Sequence, residues 1–294
     1  MQAYLHFSSA HSNSQIMDFM AEASARANGQ DFITLSHSEA LGAAGYCQTA
    51  EAIALSDLRA EAALIGVDVN LLPQAPYLRK LMLCDMDSTI ITGESLDDLS
   101  AMAGIGEAVA AITARAMAGE LDFKQALAER LGMLKDEPVA LLERLIQETQ
   151  AFDGAAELVA TMRAHDATCL LVSGGFTFLT SDIAQRFGFS DHFANELAIE
   201  DGKIAGYADE PIIDSSAKLR ILNEFCDRLS ITHNEVMSMG DGANDIPMLE
   251  AASLGIAWQA KPLVKERIAL QLSHSNLCGP LFLQGVHEKD IVSA

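Results

Sequence analysis

The run Leu81-Met-Leu-Cys-Asp-Met-Asp-Ser-Thr89 decides how this chain folds. Its first four residues are wholly apolar, the pattern of a short strand buried on both faces, and the polarity switches abruptly at Asp85. Two later stretches repeat the arrangement: Thr168–Val172 runs up to Ser173, and Val236–Met239 runs up to Gly240. Helical patterns separate the three, which predicts an α/β fold with a Rossmann-like parallel sheet and crossover helices. In open sheets of this kind ligands bind beyond the carboxyl ends of the strands. The three polar runs are therefore expected to meet in one crevice.

Working outward, the stretch Ser95–Gln150 is helical in pattern, with Gly104, Gly106, Gly119 and Pro138 as breakers. It is too long for an ordinary crossover. It reads as a helical cap, residues 95–150, inserted into a core made of residues 78–94 and 151–294. Asp201-Gly202 between alternating residues predicts a β-hairpin within Ala194–Ala208. Upstream, residues 1–74 read as a separate small α+β unit of ferredoxin-like pattern. It has strands at Gln2–Phe7, Asp31–Leu35 and Val67–Leu72, and helices at Ser14–Ala27 and Asp57–Leu64. Leu72-Pro-Gln-Ala-Pro76 is the linker, because two prolines discourage helix continuation.

The chain has 294 residues, enough for two or three domains, and half are hydrophobic. Nineteen Lys and Arg stand against 41 Asp and Glu, a net charge of −22. Such a surface repels nucleic acid and anionic lipid. The cysteines at 47, 84, 169, 226 and 278 are odd in number and form no CxxC, which fits free thiols in a cytoplasmic protein. The N-terminus carries no basic stretch followed by an apolar run, and no apolar run reaches roughly 18 residues, so neither a secretory signal nor a membrane span is expected.

Asp85 and Asp87, spaced i, i+2 on an extended turn, point the same way. One can attack phosphorus while the other handles the proton of the leaving oxygen. The plain alternative is an Asp-rich turn in an acidic chain. In Gly240-Asp241-Gly242-Ala243-Asn244-Asp245 the glycines permit a sharp turn and the carboxylates offer hard oxygens for Mg²⁺. An Asx-turn is the plain alternative. A calcium loop of the EF-hand type fails on counting, since its sixth and twelfth positions hold Ile90 and Leu96 from Asp85, or Ile246 and Ala252 from Asp241. Ser173-Gly174-Gly175 offers a hydroxyl and main-chain N–H groups for phosphate oxygens at a helix N-terminus. Lys218, at the start of a helical run, reads on its own as a solvated surface lysine.

In the order strand-DxDST, strand-SGG, Lys, strand-GDGxND, these pieces resemble the haloacid-dehalogenase superfamily of phosphatases over about residues 80–265. The resemblance implies that Asp85 is the nucleophile and Asp87 the general acid and then base. It implies that Ser173, Gly174 and Lys218 bind the phosphoryl group. Mg²⁺ would be held by Asp85, the main-chain carbonyl of Asp87, Asp241 and Asp245, with Asn244 orienting substrate or metal ligands. The segments Asp85–Glu94, Ala116–Phe123, Arg130, Phe152-Asp-Gly154 and Ala260-Lys-Pro262 are similar to the phosphoserine phosphatase family. That likeness implies Glu94 for the substrate ammonium, Arg130 for its carboxylate, and Met117 and Phe123 as a shield.

Each of these has a plain counterpart. Glu94 reads equally as a helix N-terminal acid, Arg130 as the partner of Glu129 or Glu137, and Met117 and Phe123 as packing residues. Arg115 competes with Arg130. The chain departs from the family at Ser95-Leu-Asp-Asp-Leu99, where relatives often have Cys-Ile-Asp-Glu-Leu, and residues 1–74 match nothing in the family core. Relatives sometimes carry an amino-acid-binding ACT domain there, but this segment shows no clear ligand loop.

The expectation is a Mg²⁺-dependent phosphoserine phosphatase working through an aspartyl-phosphate, with a small-molecule substrate and no nucleic-acid or membrane partner. Room is left for a homodimer. The rivals are a phosphotransferase to an alcohol such as homoserine, a phosphatase for another small phosphomonoester, and a non-catalytic amino-acid sensor.

Overall fold

The computed structural model describes residues 3–49, 54–117, 120–207 and 212–293. Gln2, Gly119 and Ala208, used above as boundaries or breakers, lie outside the described residues, as do the side chains of Met117 and Phe123. The N-terminal domain is built from β1 (Ala3–Ser9), α1 (Ser14–Arg26), β2 (Gln30–Ser38), β3 (Gly42–Thr49), α2 (Leu55–Ala63) and β4 (Asp68–Leu72). Its strands form an antiparallel sheet in the order β4-β1-β3-β2, the ferredoxin-like arrangement of two interleaved βαβ halves. Apolar positions of both helices and the sheet make one small core around Leu5, Phe7, Met20 and Val69. The sequence leaves β3 unplaced because its residues Gly-Ala-Ala-Gly-Tyr-Cys-Gln-Thr have weak strand propensity. Small residues are what the site demands: a Cβ on Gly45 would press into the Phe32 ring.

The second sheet is parallel, with six strands in the order β12-β11-β10-β5-β6-β7. These are β5 (Leu81–Cys84), β6 (Thr168–Phe176), β7 (Asp191–Asn195), β10 (Val236–Gly240), β11 (Leu254–Trp258) and β12 (Leu270–Leu272). Every side chain of β5 is fully buried. Met82 and Cys84 face one core and Leu81 and Leu83 the other. The first core is covered by α7 (Ala155–Ala164), α8 (Thr177–Phe187) and α12 (Gly279–Phe282), the second by α9 (Ser215–Leu229), α10 (Ile246–Ala251) and α11 (Pro262–Arg267). Burial of each large apolar side chain contributes roughly 1.5–3 kcal/mol, which is why an unbroken apolar run can hold the centre of the sheet.

From β5 the chain moves outward to β6 and β7, then returns to the other side for β10, β11 and β12. The direction therefore reverses between β5 and β10, where a crevice opens. One expectation is corrected here. β6 does not stop at Ser173 but continues to Phe176, with a register irregularity after Val172. Helix α8 starts only at Thr177, so Ser173 and Gly174 lie on a strand end and not at a helix N-terminus.

The insertion between β5 and α7 consists of α3 (Ser95–Met102), α4 (Gly106–Met117), α5 (Phe123–Met133) and α6 (Ala140–Glu148). An isolated bridge, Ile91↔Ala151, joins its two connections to the sheet. The expected hairpin is present as β8 (Leu197–Glu200) and β9 (Lys203–Tyr207), with Asp201 and Gly202 both at positive φ in its turn. It reaches the insertion through main-chain hydrogen bonds Asp136 N→Ile204 O (2.9 Å), Ile204 N→Glu137 O (2.9 Å) and Val139 N→Gly202 O (3.1 Å). Among the described residues no helix is long and apolar enough to cross a membrane.

The two sheets meet edge to edge along β4 and β12. The Asn70 side-chain amide mimics a strand: Nδ2 donates to Gln271 O (2.9 Å) while Oδ1 accepts from Gln271 N (2.8 Å). The Asp68 carboxylate, 6% exposed, accepts the N–H groups of Ser273, His274 and Ser275 and the Ser275 hydroxyl. This seam satisfies two edges that would otherwise offer unpaired backbone. Asp68→Ala strands three N–H donors. It is expected to lower the unfolding free energy by on the order of 3 kcal/mol in a urea titration, with Asp68→Asn intermediate.

Candidate active site

The crevice between β5 and β10 places Asp85 and Asp241 side by side, since Met239 pairs with Cys84 and Asp85 N donates to Met239 O (3.0 Å). Asp245, at the start of α10, folds its carboxyl back onto Gly240 and accepts the Gly242 N–H (3.0 Å). Only glycine fits at 240, because a Cβ there would collide with that carboxyl. The carboxylates of Asp85, Asp241 and Asp245 each bring an oxygen within 4.8 Å of the other two.

Lys218 is not a surface lysine. Asp214 caps α9 by accepting the Ala217 N–H (2.9 Å), and the next residue points its side chain inward, where it is fully buried. Its Nζ bridges Asp85 Oδ2 (2.8 Å) and Asp245 Oδ1 (2.6 Å). Burial disfavours its charge, but Asp245 and Asp85 outweigh that and hold its pKa above the ordinary lysine range. The ammonium is therefore permanent.

Three buried carboxylates face two lysines here, Lys218 and Lys261. The surplus negative charge, the hard oxygen donors and the separations fit a small divalent cation held by Asp85, Asp241 and Asp245. The Asp87 carboxyl does not join this cluster and is engaged elsewhere. Its Oδ1 accepts the Ser95 N–H (2.8 Å) and its Oδ2 lies 3.5 Å from the Ser173 hydroxyl. Burial, then the neighbouring Asp85 charge, push the Asp87 pKa up to about 7 against the Ser95 hydrogen bond. One carboxylate thus sits on a lysine, while its neighbour two residues on is tuned to hold a proton, an arrangement suited to acid catalysis.

A cavity of about 140 Å³ lies over these groups. Asp85, Asp87, Gly174, Asp241 and Asn244 contribute from the sheet edge, and Glu94, Asp97, Leu127 and Arg130 from the insertion and its base. Ser173, Lys218 and Asp245 lie fully buried behind them. Arg130 is drawn into the cavity and forms no ion pair among the described residues; its Nε donates only to Ala126 O (3.3 Å). Arg115, the rival, is outside the cavity and occupied by Glu129 (2.7 Å) and Glu120 (3.5 Å). Glu94 accepts from the Ser88 hydroxyl (3.1 Å) and makes no side-chain cap to α3, so it is not an ordinary capping acid.

Three contributors escape the sequence reading. Lys261, the residue before α11, reaches Asp241 Oδ2 (3.0 Å) and Glu94 Oε1 (3.6 Å), tying the acidic loop to the base of the insertion. The signal for it was the Ala260-Lys-Pro262 segment, where a proline at the first helical position sets the lysine at the cap. Ser95 holds Asp87 by its backbone, which no side-chain pattern discloses. Asn195, at the end of β7, donates to Gly174 O (2.8 Å) and accepts from Ile213 N (2.8 Å), fixing the Gly174 peptide.

Residues 82–250 match the family model for haloacid dehalogenase-like hydrolases. A phosphoserine phosphatase of Archaeoglobus fulgidus is 40% identical over 224 residues, covering 76% of this chain and 65% of its own length, so the chain spans a little under two thirds of that relative. A phosphoserine phosphatase of Lactococcus lactis subsp. lactis is 38% identical, with 67% of this chain and 91% of that one aligned. The crystal structure of a HAD family hydrolase from Salmonella enterica serovar Typhi superposes with a TM-score of 0.85 at 28% identity, over 98% of this chain and 99% of that one.

The raised Asp87 pKa has a sign that can be measured. In the metal-free protein the folded state keeps a proton on Asp87 that the unfolded chain, with an ordinary carboxyl pKa of about 4, has released. Its contribution to stability is complete below about pH 4 and is lost as pH rises through about 7. Unfolding titrations of metal-free protein across that window should show stability falling with pH, and Asp87→Asn should remove part of the fall, the rest belonging to the buried Asp245 carboxyl, also raised to about 7.

Proposed function

Since the chain belongs to the haloacid dehalogenase-like hydrolases, we propose that it is a phosphoserine phosphatase that uses Mg²⁺ and passes through an aspartyl-phosphate on Asp85. The observation that carries the reading is that Glu94 and Arg130 line the same cavity as Asp85 and Asp87. One small space thus offers an anion, a cation and a nucleophile, matching the ammonium, carboxylate and phosphate of phosphoserine. The relatives that bear the phosphoserine phosphatase name support the same substrate. A division into residues 1–74, a core of 78–94 and 151–294, and a lid of 95–150 belongs to this reading, as does a reducing cytoplasmic setting for five free, buried cysteines.

In the proposed cycle the phosphoryl group lies against Asp85 with its oxygens toward Lys218, Ser173 and the Gly174 backbone. Asp85 attacks phosphorus, the bond from phosphorus to the serine oxygen breaks, and Asp87 gives its proton to that oxygen. Serine leaves. Asp87, now ionised, takes a proton from water, and that water attacks the aspartyl-phosphate to release phosphate and restore Asp85. Mg²⁺ held by Asp85, Asp241 and Asp245, with the Asp87 main-chain carbonyl, supplies positive charge to the phosphoryl oxygens. Asn244 stands beside Asp241 to orient the substrate. Arg130 offers a planar fork to the carboxylate and Glu94 a counter-charge to the ammonium. Closure of 95–150 excludes water from the first step.

Asp85→Asn should lower phosphate release from phosphoserine by at least roughly four orders of magnitude. Activity near the wild-type level would defeat the assignment. Arg130→Ala should cut kcat/KM for phosphoserine roughly 10²-fold while sparing a phosphate ester that lacks a carboxylate. Equal losses on both esters would remove Arg130 from substrate recognition.

A further inference from the structure

A second cavity, of about 260 Å³, opens at the seam between the N-terminal domain and the core and shares no residue with the catalytic one. Basic side chains from three separate segments line it: Arg59 from α2, Lys265 from α11 and His274 from the loop after β12. One carboxylate, Asp68, is also in its wall, but that group is turned onto the Ser273, His274 and Ser275 N–H groups. Arg59 spends its Nε on Val69 O (2.7 Å) and its Nη2 on Asn70 Oδ1 (3.0 Å) and Ala269 O (2.6 Å), all neutral acceptors. Among the described residues neither the Lys265 ammonium nor the His274 ring has a hydrogen-bond or ion-pair partner.

Three such groups gathered in one concavity stand apart from the paired arginines of the surface. With a net charge of −22, carboxylates are abundant, and Arg26, Arg115, Arg144, Arg186 and Arg267 each hold one. At the seam, burial works against the Arg59 charge and Asp68 is the carboxylate that opposes it. A concave, partly desolvated site onto which the remaining Nη1 of a guanidinium, an ammonium and an imidazole converge from three directions is suited to an oxyanion.

We propose that the seam cavity binds a small, multiply charged oxyanion of the phosphate type, which joins the N-terminal domain to the core. The occupant would touch α2 on one side and α11 on the other. Helix α11 is short: Lys265 N donates to Lys261 O (3.2 Å), and Lys261 is the residue that enters the catalytic cavity. An anion at the seam therefore pins the helix that positions that lysine. The N-terminal domain gains a role as half of a binding site.

The test titrates inorganic phosphate into the metal-free 294-residue chain by calorimetry at constant ionic strength, with thermal unfolding in parallel. Phosphate taken by the catalytic cavity is common to wild type and seam variants, so their difference isolates the seam. Lys265→Glu is expected to lose one binding equivalent per chain and part of the phosphate-induced rise in Tm, and His274→Gln to weaken that component at least several-fold. Identical isotherms and Tm responses in wild type and both variants would overturn the proposal. Phosphoserine hydrolysis assayed on the same variants without added phosphate should be unchanged, so a negative result at the seam leaves the reading of the catalytic site untouched.

Discussion

A buried ammonium shared between two carboxylates is the constraint on which this architecture turns. Lys218 comes from a helix, Asp85 from the central strand and Asp245 from the loop of its neighbour, and Nζ lies 2.8 and 2.6 Å from their oxygens. Taking such groups out of water costs several kcal/mol per ion unless they are mutually satisfied. The pairing therefore holds only if β5, β10 and α9 arrive in one relative position. The parallel register supplies it, and Gly240 provides the clearance. Asp87, two residues on from Asp85, makes no such lysine contact among the described residues, and burial, then the Asp85 charge, push it toward protonation.

A second tier of charge works from outside. Lys261 lies 3.0 Å from Asp241 and 3.6 Å from Glu94, and half of its side chain remains in solvent. Screening weakens so exposed an ion pair, so it places these two carboxylates more than it stabilises the fold. Lys218 and Lys261 thus differ in kind. One is part of the core, and the other stands half in solvent.

Much of this was legible in the sequence, for physical reasons. Apolar runs with no polar face have one good home, the middle of a parallel sheet, and Leu81–Cys84 occupies it. Asp85, Asp241 and Asp245 follow because strand ends on one side of a sheet must converge. The sequence was silent or misleading where the backbone or a distant residue decides. β3 is recruited by the sheet around it despite its glycines and alanines. β6 outruns its apolar segment because main-chain pairing with β7 resumes at Phe176 and Asn195. Lys218 taken alone reads as solvated, because nothing local shows that its partners lie 27 residues downstream and far upstream in the chain, and only its place among the other motifs marks it. Ser95 acts through its N–H, a group that every residue but proline possesses.

The β8–β9 hairpin gives the helical insertion a third mooring. The insertion leaves the sheet through two adjacent connections, which by themselves would let it swing as a flap about the line between them. Three main-chain hydrogen bonds to residues 202–204 add a tether away from that line. Any swing must either carry the hairpin along or break those bonds, so the arc available to the flap is set by the flexibility of a two-stranded ribbon and not by the two connections alone.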